Sequence, residues 1–127
     1  MKNNMYKKRL PKNKKTGVYK DKNDNLTFYK NGLIHRDNDN PAIIYSNGSK
    51  SWFRTGYLYR GLDKPAVIKA DGSRCWYKNN EIHRENGKPA IIEIDGTKKW
   101  YKNGWFQRKD NKPVITSFDD HVLFGHR

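Results

Sequence analysis

One spacing constrains this chain more than any other feature: the same residue types recur every 24 positions without insertion or deletion. Arginine, proline and aromatic residues all follow it, at Arg36, Arg60, Arg84 and Arg108; at Pro41, Pro65, Pro89 and Pro113; and at Phe28, Trp52, Trp76, Trp100 and Phe124. A constant period of this length is typical of one supersecondary unit stacked on itself. We therefore interpret each set of equivalent positions together, as a column.

The segments inside each unit favour β structure. Residues 51–54 and 65–70 are rich in aromatic and β-branched types, and the segments between turn signals are too short for helices. Two turns recur in each unit, the first at Asn31-Gly32 and its equivalents and the second at Asn47-Gly48 and its equivalents. Asn-Gly and Asp-Gly pairs accept positive φ, so the sequence predicts type I′ hairpins at both places.

The predicted fold is all-β, an antiparallel meander of four stacked 24-residue hairpin repeats. We expect three parts: a basic N-terminal arm over residues 1–25, in which residues 17–25 can form a degenerate capping half-repeat; the repeats over residues 26–120; and a C-terminal cap or partial fifth repeat over residues 121–127. A hydrophobic content of 34% predicts a thin interior in which aromatic side chains supply much of the buried area.

Two aromatic columns lie side by side in the sequence, and neighbours in a strand point to opposite faces. We expect the column of Phe28, Trp52, Trp76 and Trp100 to be buried. The adjacent column is then partly exposed and consists of Tyr29, Phe53, Tyr77 and Tyr101. Alanine and isoleucine columns, beginning at Ala42 and Ile44, are expected to form the matching apolar face.

Residues 76–90, which read Trp-Tyr-Lys-Asn-Asn-Glu-Ile-His-Arg-Glu-Asn-Gly-Lys-Pro-Ala, together with Asp95-Gly96, resemble MORN repeats. The resemblance covers residues 26 to about 120. It departs after the histidine, where MORN units place glycines and this chain places arginine and then proline. The pattern is closer to the 24-residue His-Arg…Pro-Ala repeats of uncharacterised phage, large-DNA-virus and bacterial proteins.

The MORN resemblance implies a rod or curved sheet that docks on other molecules, mostly proteins and sometimes acidic lipid head groups. In a few bacterial variants it implies an antitoxin or immunity role. The family has no catalytic residue set that could be transferred to this chain, and a resemblance of fold alone does not assign a function.

The charge of the chain is strongly positive and unevenly distributed. The net charge is +14, and residues 1–25 contribute +7 of it, with nine lysines or arginines against two aspartates. A basic segment this dense stays extended and commonly lies along a polyanion, although it can also be a solvated tail. The expected contacts to an acidic partner are Lys7, Lys8, Arg9, Lys12, Lys14, Lys15, Lys78, Lys98, Lys99 and Lys102.

The arginine column has two interpretations. Stacked hairpins place equivalent residues about 10 Å apart, so the four guanidinium groups could form a rail that binds successive phosphates. Alternatively, each arginine is a structural clamp on the loop that leads to the next proline, donating to loop carbonyls or to acidic neighbours. The acidic neighbours expected for a clamp are Asp37, Glu85 and Asp110. Recurrence in every unit favours the clamp, because each unit must solve the same folding problem.

The sequence favours neither an enzyme nor a metal or cofactor site. It has no phosphate-binding glycine loop or nucleophile motif, and only three glutamates. His35 and His83 alternate with Tyr59 and Gln107 in one column, which indicates polar packing and not catalysis. A single cysteine, Cys75, excludes an internal disulfide.

The predicted function is therefore a non-catalytic basic repeat protein that docks on an acidic macromolecule such as nucleic acid or a nucleoprotein complex. The alternative is a protein-interaction module, such as a virion component or an inhibitor of a host defence protein, and an antitoxin or immunity protein is a third. We expect a phage or viral origin and a location in the cytoplasm of the host or in the virion. No apolar run is long enough for a membrane span or an ordinary signal peptide.

Overall fold

The structure, a computed structural model, describes residues 15–117 and the backbone pairing of residues 122–123. The described chain forms short strands: β1 (Gly17–Lys20), β2 (Leu26–Lys30), β3 (Leu33–Ile34), β4 (Ile43–Ile44), β5 (Lys50–Ser51), β6 (Phe53–Arg54), β7 (Tyr57–Leu58), β8 (Val67–Ile68), β9 (Arg74–Cys75), β10 (Tyr77–Lys78), β11 (Glu81–Ile82), β12 (Ile91–Ile92), β13 (Lys98–Lys99), β14 (Tyr101–Lys102), β15 (Trp105–Phe106), β16 (Ile115–Thr116) and β17 (Val122–Leu123). A single 3-10 turn occupies Lys109–Asn111, and the described residues contain no α-helix.

The all-β prediction is confirmed: every strand pairing in the described chain is antiparallel. Ten strands follow one another in an open sheet of order β1-β2-β4-β5-β8-β9-β12-β13-β16-β17, with β3 added on β2. Three further hairpins, β6-β7, β10-β11 and β14-β15, form small sheets of their own. Consecutive hairpins thus alternate between the long sheet and short side hairpins.

The chain changes sheets at each tryptophan because the tryptophan backbone pairs in two directions. The N–H of Trp52 donates to the carbonyl of Ala66 in the long sheet at 2.8 Å, whereas its carbonyl accepts from the N–H of Tyr59 in the side hairpin at 3.1 Å. The same pair of bonds recurs at Trp76, with Ala90 and His83. One continuous β segment is thereby split into two short strands.

The first predicted turn is confirmed as a tight hairpin with positive φ at both central residues. Asn31 and Gly32 have φ of 52° and 83°, and the equivalent pairs, Thr55-Gly56, Asn79-Asn80 and Asn103-Gly104, are also positive. Each of these turns also contacts the preceding unit, since the N–H of Gly56 donates to the carbonyl of Ile34 at 2.8 Å. The side hairpins are therefore joined in series by backbone hydrogen bonds.

The type I′ prediction for the second turn is wrong. Of Asn47 and Gly48, only Gly48 has positive φ, 97°, and its N–H donates to the carbonyl of Tyr45 at 2.9 Å. This is a three-residue loop that ends in a glycine bulge. Asn47 keeps negative φ because its side chain accepts the N–H of Ser49 at 2.8 Å, and Asp71 and Asp95 do the same in the following units.

A third turn, which the sequence analysis did not predict, lies between each arginine and the next proline. Its two central residues both have positive φ, as in Asn38-Asp39, Leu62-Asp63, Asn86-Gly87 and Asp110-Asn111. The turn closes with a weak backbone bond, for example from the N–H of Lys64 to the carbonyl of Gly61 at 3.2 Å. The loop that presents the acidic side chains is therefore a defined turn.

Both aromatic columns are largely inside, so the prediction that one of them is partly exposed is wrong for Tyr29 and Phe53. Each is 3% exposed and belongs to a core cluster with Ile34, Ala42, Ile43, Leu58 and Ala66. Tyr77 and Tyr101 are half-buried, and so is Phe28, which was expected inside. The predicted alternation assumed a single sheet, but the backbone changes its pairing partner at Phe28 and at Trp52, and the residues that follow them, Tyr29 and Phe53, join the core cluster.

The three tryptophans of the first column are buried as expected. Trp52, Trp76 and Trp100 are 7%, 5% and 7% exposed, and the alanine column beside them, Ala42, Ala66 and Ala90, is fully buried. The tryptophans do not face open solvent, because the loops between arginine and proline cover them.

No helix in the described part of the chain is long and apolar enough to cross a membrane.

The predicted N-terminal arm divides into two parts. Residues 1–14, the first part of the predicted arm, lie outside the described residues. Residues 17–20 form β1, which pairs with β2 in the register Gly17 to Tyr29. At the other end, β17 pairs with β16, so that both predicted end segments contribute a strand to the long sheet.

Candidate functional site

The arginine and aromatic columns form a ladder of stacked pairs on one side of the molecule. In each pair the guanidinium carbon lies 3.6 to 3.8 Å from the centre of the ring eight residues earlier: Arg36 on Phe28, Arg60 on Trp52, Arg84 on Trp76 and Arg108 on Trp100. Such cation–π contacts at partly buried sites are worth about 1 kcal/mol or more each. The face of the guanidinium is thus occupied by the protein.

The same arginines hold the loop that leads to proline. Nη1 of Arg60 donates to the carbonyl of Pro65 at 3.1 Å, and the equivalent bond exists at Arg36, Arg84 and Arg108. Beneath Arg60, Arg84 and Arg108, tryptophan Nε1 donates to a carbonyl of the preceding loop, as Trp52 does to Asp39 at 3.0 Å. These contacts have the geometry of the clamp and leave only the Nε and Nη2 edge of each arginine available.

On that edge, two arginines bind a carboxylate from the preceding turn. Asp39 accepts from Nε of Arg60 at 2.8 Å, from Nη2 at 3.2 Å and from Nζ of Lys64 at 2.9 Å. Asp63 is bound in the same way by Arg84, at 2.9 and 3.2 Å, and by Lys88 at 3.0 Å. This is a side-on bidentate pair reinforced by an ammonium group.

These ion pairs shift the acidity of both aspartates. The hydrogen bonds from Arg84 lower the pKa of Asp63 to about 2, with a further contribution from Lys88. The pKa of Asp39 lies well below its ordinary value for the same reasons, with Arg60 the largest cause. Both carboxylates are therefore ionised at any physiological pH.

The acidic partners that were expected for the arginines, Asp37, Glu85 and Asp110, are wrong at all three positions, and Asp110 forms no ion pair with Arg108. Asp37 instead bonds to His35 at 2.7 Å and to Lys30 at 3.2 Å. Glu85 bonds to His83 at 2.6 Å. The partners of Arg60 and Arg84 lie 21 residues earlier in the sequence, in the preceding unit and outside the loop that each arginine begins.

The series of carboxylates is interrupted. The column that contains Asp39 and Asp63 continues with Gly87 and Asn111. Arg108 stacks on Trp100 and donates to the carbonyl of Pro113, as its equivalents do in their units. Gly87 offers it no carboxylate, however, and no other carboxylate of residues 15–117 lies within ion-pairing distance. Burial lowers the pKa of Arg108, with no opposing effect from an acid.

Within residues 15–117, three equivalent grooves can be described along the ladder. The first groove, of about 160 Å³, is lined by Arg36, Arg54, Arg60, Asp37 and Asp39, among others. The second groove, of about 300 Å³, is lined by Arg60, Lys78, Arg84, Asp63 and Glu85, among others. The third groove, of about 80 Å³, is lined by the cations Arg84, Lys88, Lys102, Arg108 and Lys109 and by no acid. Charge is therefore nearly balanced in two grooves and unbalanced in the third.

Part of the positive charge of the third groove is matched from outside its lining. Arg84 and Lys88 bind Asp63, and Nζ of Lys102 lies 4.0 Å from Glu85. Arg108 and Lys109 have no carboxylate partner among residues 15–117. The unmatched charge is therefore concentrated around Arg108.

The predicted contact residues are not all brought together. Lys7, Lys8, Arg9, Lys12 and Lys14 lie outside the described residues, and the side chain of Lys15 is exposed. Lys78 and Lys102 line the second and third grooves, whereas Lys98 and Lys99 belong to β13 of the long sheet. Lys99 is paired with Glu93 at 2.8 Å, which raises the pKa of the lysine, so its charge is already matched.

The histidines connect neighbouring side hairpins. Nδ1 of His35 accepts the N–H of Thr55 at 2.8 Å, and Nδ1 of His83 accepts the N–H of Asn103 at 2.9 Å. Each Nε2 therefore carries the hydrogen and donates to Asp37 or to Glu85. This geometry agrees with the predicted packing role, because both ring nitrogens of His35 and of His83 are hydrogen-bonded.

Comparisons with known proteins add no relative. No protein-family model matches the chain, no curated protein matches it significantly, and neither does any solved structure. The resemblance to MORN repeats accordingly stays a prediction. The function has to be argued from the ladder and its grooves.

Proposed function

We propose that the protein is a non-catalytic docking protein whose grooved face binds the phosphate backbone of nucleic acid, alone or in a nucleoprotein complex. The observation that carries the proposal is the third groove, which is lined by five cations and no carboxylate. Phosphate contacts from lysine and arginine provide sequence-independent affinity for nucleic acid. The basic residues 1–14 would supply further contacts to the same polyanion.

The structure changes which residues are expected to make the contacts. Tyr29 and Phe53 are buried in the core, so their rings are not offered as stacking partners for bases. Instead, Lys102 and Lys109 would contact phosphates beside Arg108, while the first and second grooves contribute less because Asp39 and Asp63 already neutralise their arginines. A phage or viral origin and a cytoplasmic or virion location stay predictions.

The proposal is tested by binding of random-sequence single-stranded oligonucleotides at several salt concentrations, measured by fluorescence anisotropy. We expect affinity to fall steeply with salt, and the variant Lys102→Ala/Lys109→Ala to reduce the slope of log K against log salt by about 1 to 1.5, which corresponds to two lost contacts. The matched control is Lys50→Ala/Lys69→Ala, which removes two exposed lysines outside the groove linings. Absence of binding at low salt, or equal losses in both variants, would refute docking through this face.

A second candidate function is docking on a protein, and one observation favours it. Leu62 is 88% exposed at the tip of the loop between the first and second grooves, although φ is 60° there, a conformation that leucine adopts at a cost. Its equivalents are Asn38, Asn86 and Asp110. A protein partner captured from nuclease-treated host lysate by the natural chain, and lost with Leu62→Asn, would support this function against the first.

A further inference from the structure

We propose that Arg108 and Lys112, opposite Gly87, form a discrete site for one phosphate group at the end of the ladder. The proposal rests on the proposed function and specifies which residues hold the phosphate. The site corresponds to the position that the carboxylates of Asp39 and Asp63 occupy in the two preceding units. We call the carboxylate sites of Asp39 and Asp63 the templates, because they show how an anion binds the equivalent arginines.

The templates are closely alike. Asp39 and Asp63 each join Nε and Nη2 of an arginine at 2.8 to 3.2 Å, and each receives a lysine Nζ at 2.9 or 3.0 Å. The lysine lies four residues after the arginine in both cases, as Lys64 after Arg60. Lys112 follows Arg108 at the same distance in the sequence. A phosphate presents two oxygens to a guanidinium edge just as a carboxylate does.

Arg108 is held in the same pose as the two template arginines. Its guanidinium lies 3.6 Å from the centre of Trp100, and Nη1 donates to the carbonyl of Pro113 at 3.0 Å. These two contacts fix the plane of the guanidinium, so its Nε and Nη2 edge is presented before any ligand arrives. Because binding need not immobilise the arginine, less conformational entropy is lost.

Gly87 adopts the same turn conformation as Asp39 and Asp63 but lacks their carboxylate. Its φ of 69° is close to the 56° of Asp39 and of Asp63, so the backbone follows the same path. A Cβ at Gly87 would meet nothing within 4 Å. The place of the aspartate side chain is therefore open, and a group larger than a carboxylate can approach the arginine.

The surrounding charge favours phosphate over a single carboxylate. Arg108 and Lys109 are unmatched among residues 15–117, and Lys102 and Lys88 stand in the same groove. One carboxylate is matched by an arginine and a lysine in each template, whereas here Lys109 is a further cation without a carboxylate partner among residues 15–117, although Lys88 is bound to Asp63 and Lys102 lies 4.0 Å from Glu85. A phosphodiester backbone brings successive anions to such a surface, and this is the partner that the excess charge fits.

The other end of the ladder provides an internal contrast. Arg36 also lacks an aspartate in the preceding unit, because the equivalent position is Lys15. Asn40 follows Arg36 at the position where Lys112 follows Arg108. Lys15 occupies the position before Arg36 that is equivalent to Gly87 before Arg108. The combination of glycine, arginine and lysine thus occurs only at Arg108 in the described repeats.

The first test uses the full chain and inorganic phosphate, observed through the arginine Nε–Hε signals by NMR. We expect phosphate to shift the signal of Arg108 and not those of Arg60 and Arg84. Gly87→Asp, which copies the templates, should abolish the shift. Gly87→Asn has the same shape without the charge and should retain it. Asp63→Gly should create a second responsive arginine, Arg84.

The second test links the site to nucleic acid. Gly87→Asp should bind a random oligonucleotide about tenfold more weakly than Gly87→Asn, as expected for the loss of one charge-assisted contact. Circular dichroism melting must show that both variants fold. Equal binding by the two folded variants would overturn the site while leaving the proposed function standing. Failure of the natural chain to bind oligonucleotide at low salt would overturn the proposed function, and the phosphate titration would still report on the site.

Two further outcomes would overturn the assignment to phosphate. Poly-glutamate that displaces phosphate from Arg108 more effectively than an oligonucleotide of equal charge would identify a carboxylate-rich partner. A tenfold or greater gain in phosphate affinity for Asp119→Asn/Asp120→Asn would mean that a carboxylate of this chain already fills the site, since both aspartates lie outside the described residues. An unchanged phosphate affinity in that variant supports the proposal.

Discussion

The second and third grooves are built from the same columns but differ in charge, because Asp63 and Glu85 of the second groove are replaced by Gly87 and Lys109 in the third. In the second groove Asp63 neutralises Arg84 and Lys88, and in the third Gly87 leaves Arg108 without a carboxylate. The tryptophan, the proline carbonyl and the pose of the arginine are the same in both. The comparison separates what the arginine does for folding, which both share, from what its charge is free to do for binding.

The largest expected effect is on the free energy of unfolding, when Arg84 and Arg108 are each replaced by alanine. Arg84→Ala removes the stacking on Trp76 and the bond to Pro89, and it also leaves Asp63 with only Lys88. We expect it to lower the free energy of unfolding by about 2 to 4 kcal/mol. Arg108→Ala removes the same stacking and loop bond without a carboxylate and should cost about 1 kcal/mol less.

Urea unfolding of both variants measures this difference. The double variant Asp63→Ala/Arg84→Ala completes a cycle that isolates the ion pair from the clamp. If Arg108→Ala proved as costly as Arg84→Ala, the carboxylate would contribute nothing to stability. The arginine column would then act by stacking and loop contacts alone.

The second prediction concerns how the free energy of unfolding depends on pH, and the expected change is smaller than for the arginine variants. Because the folded pKa of Asp63 is about 2 and an aspartate in an unfolded chain has a pKa of about 3.9, the stability that its ion pair contributes is present above about pH 4. It is lost progressively as the pH falls from about 4 towards 2. The third groove has no equivalent acid and should contribute no such dependence.

Unfolding at several pH values between about 2 and 6 checks this prediction, with Asp63→Asn as the matched control. The natural chain should lose more stability than the variant across the window from pH 4 to 2. The variant retains Asp39, so it should keep part of the dependence. Parallel curves for the two proteins would show that Asp63 is not stabilised by Arg84 in the folded state.

The sequence allowed much of the fold to be predicted, because turn chemistry and period are local. Asn-Gly at residues 31–32 needs positive φ at two successive positions, and the structure has it. The burial of Tyr29 and Phe53 was not predictable from alternation. It depends on the preceding residues, Phe28 and Trp52, whose N–H and carbonyl pair with different strands, and these pairings are tertiary contacts.

Less of the candidate site than of the fold could be predicted from the sequence. The arginine clamp followed from the recurrence of the column, but its acidic partner lies 21 residues earlier, across the contact between units. A signal was present in the column that reads Asp39, Asp63, Gly87 and Asn111. It could be interpreted only once the structure showed that this column faces the arginines of the next unit.

The smallest expected effect lies in the loop that carries Asp63. Leu62 has φ of 60° and is 88% exposed, whereas Asn86, its equivalent before Gly87, has nearly the same φ of 63°. Asparagine tolerates the left-handed region better than leucine, so Leu62→Asn should raise the free energy of unfolding by about 0.5 to 1 kcal/mol. Asn86→Leu should lower it by a similar amount. Urea unfolding of the two variants decides the matter: a loss of stability with Leu62→Asn would mean that the leucine makes packing contacts that outweigh its strain, and the case for Leu62 as a protein contact would weaken with it.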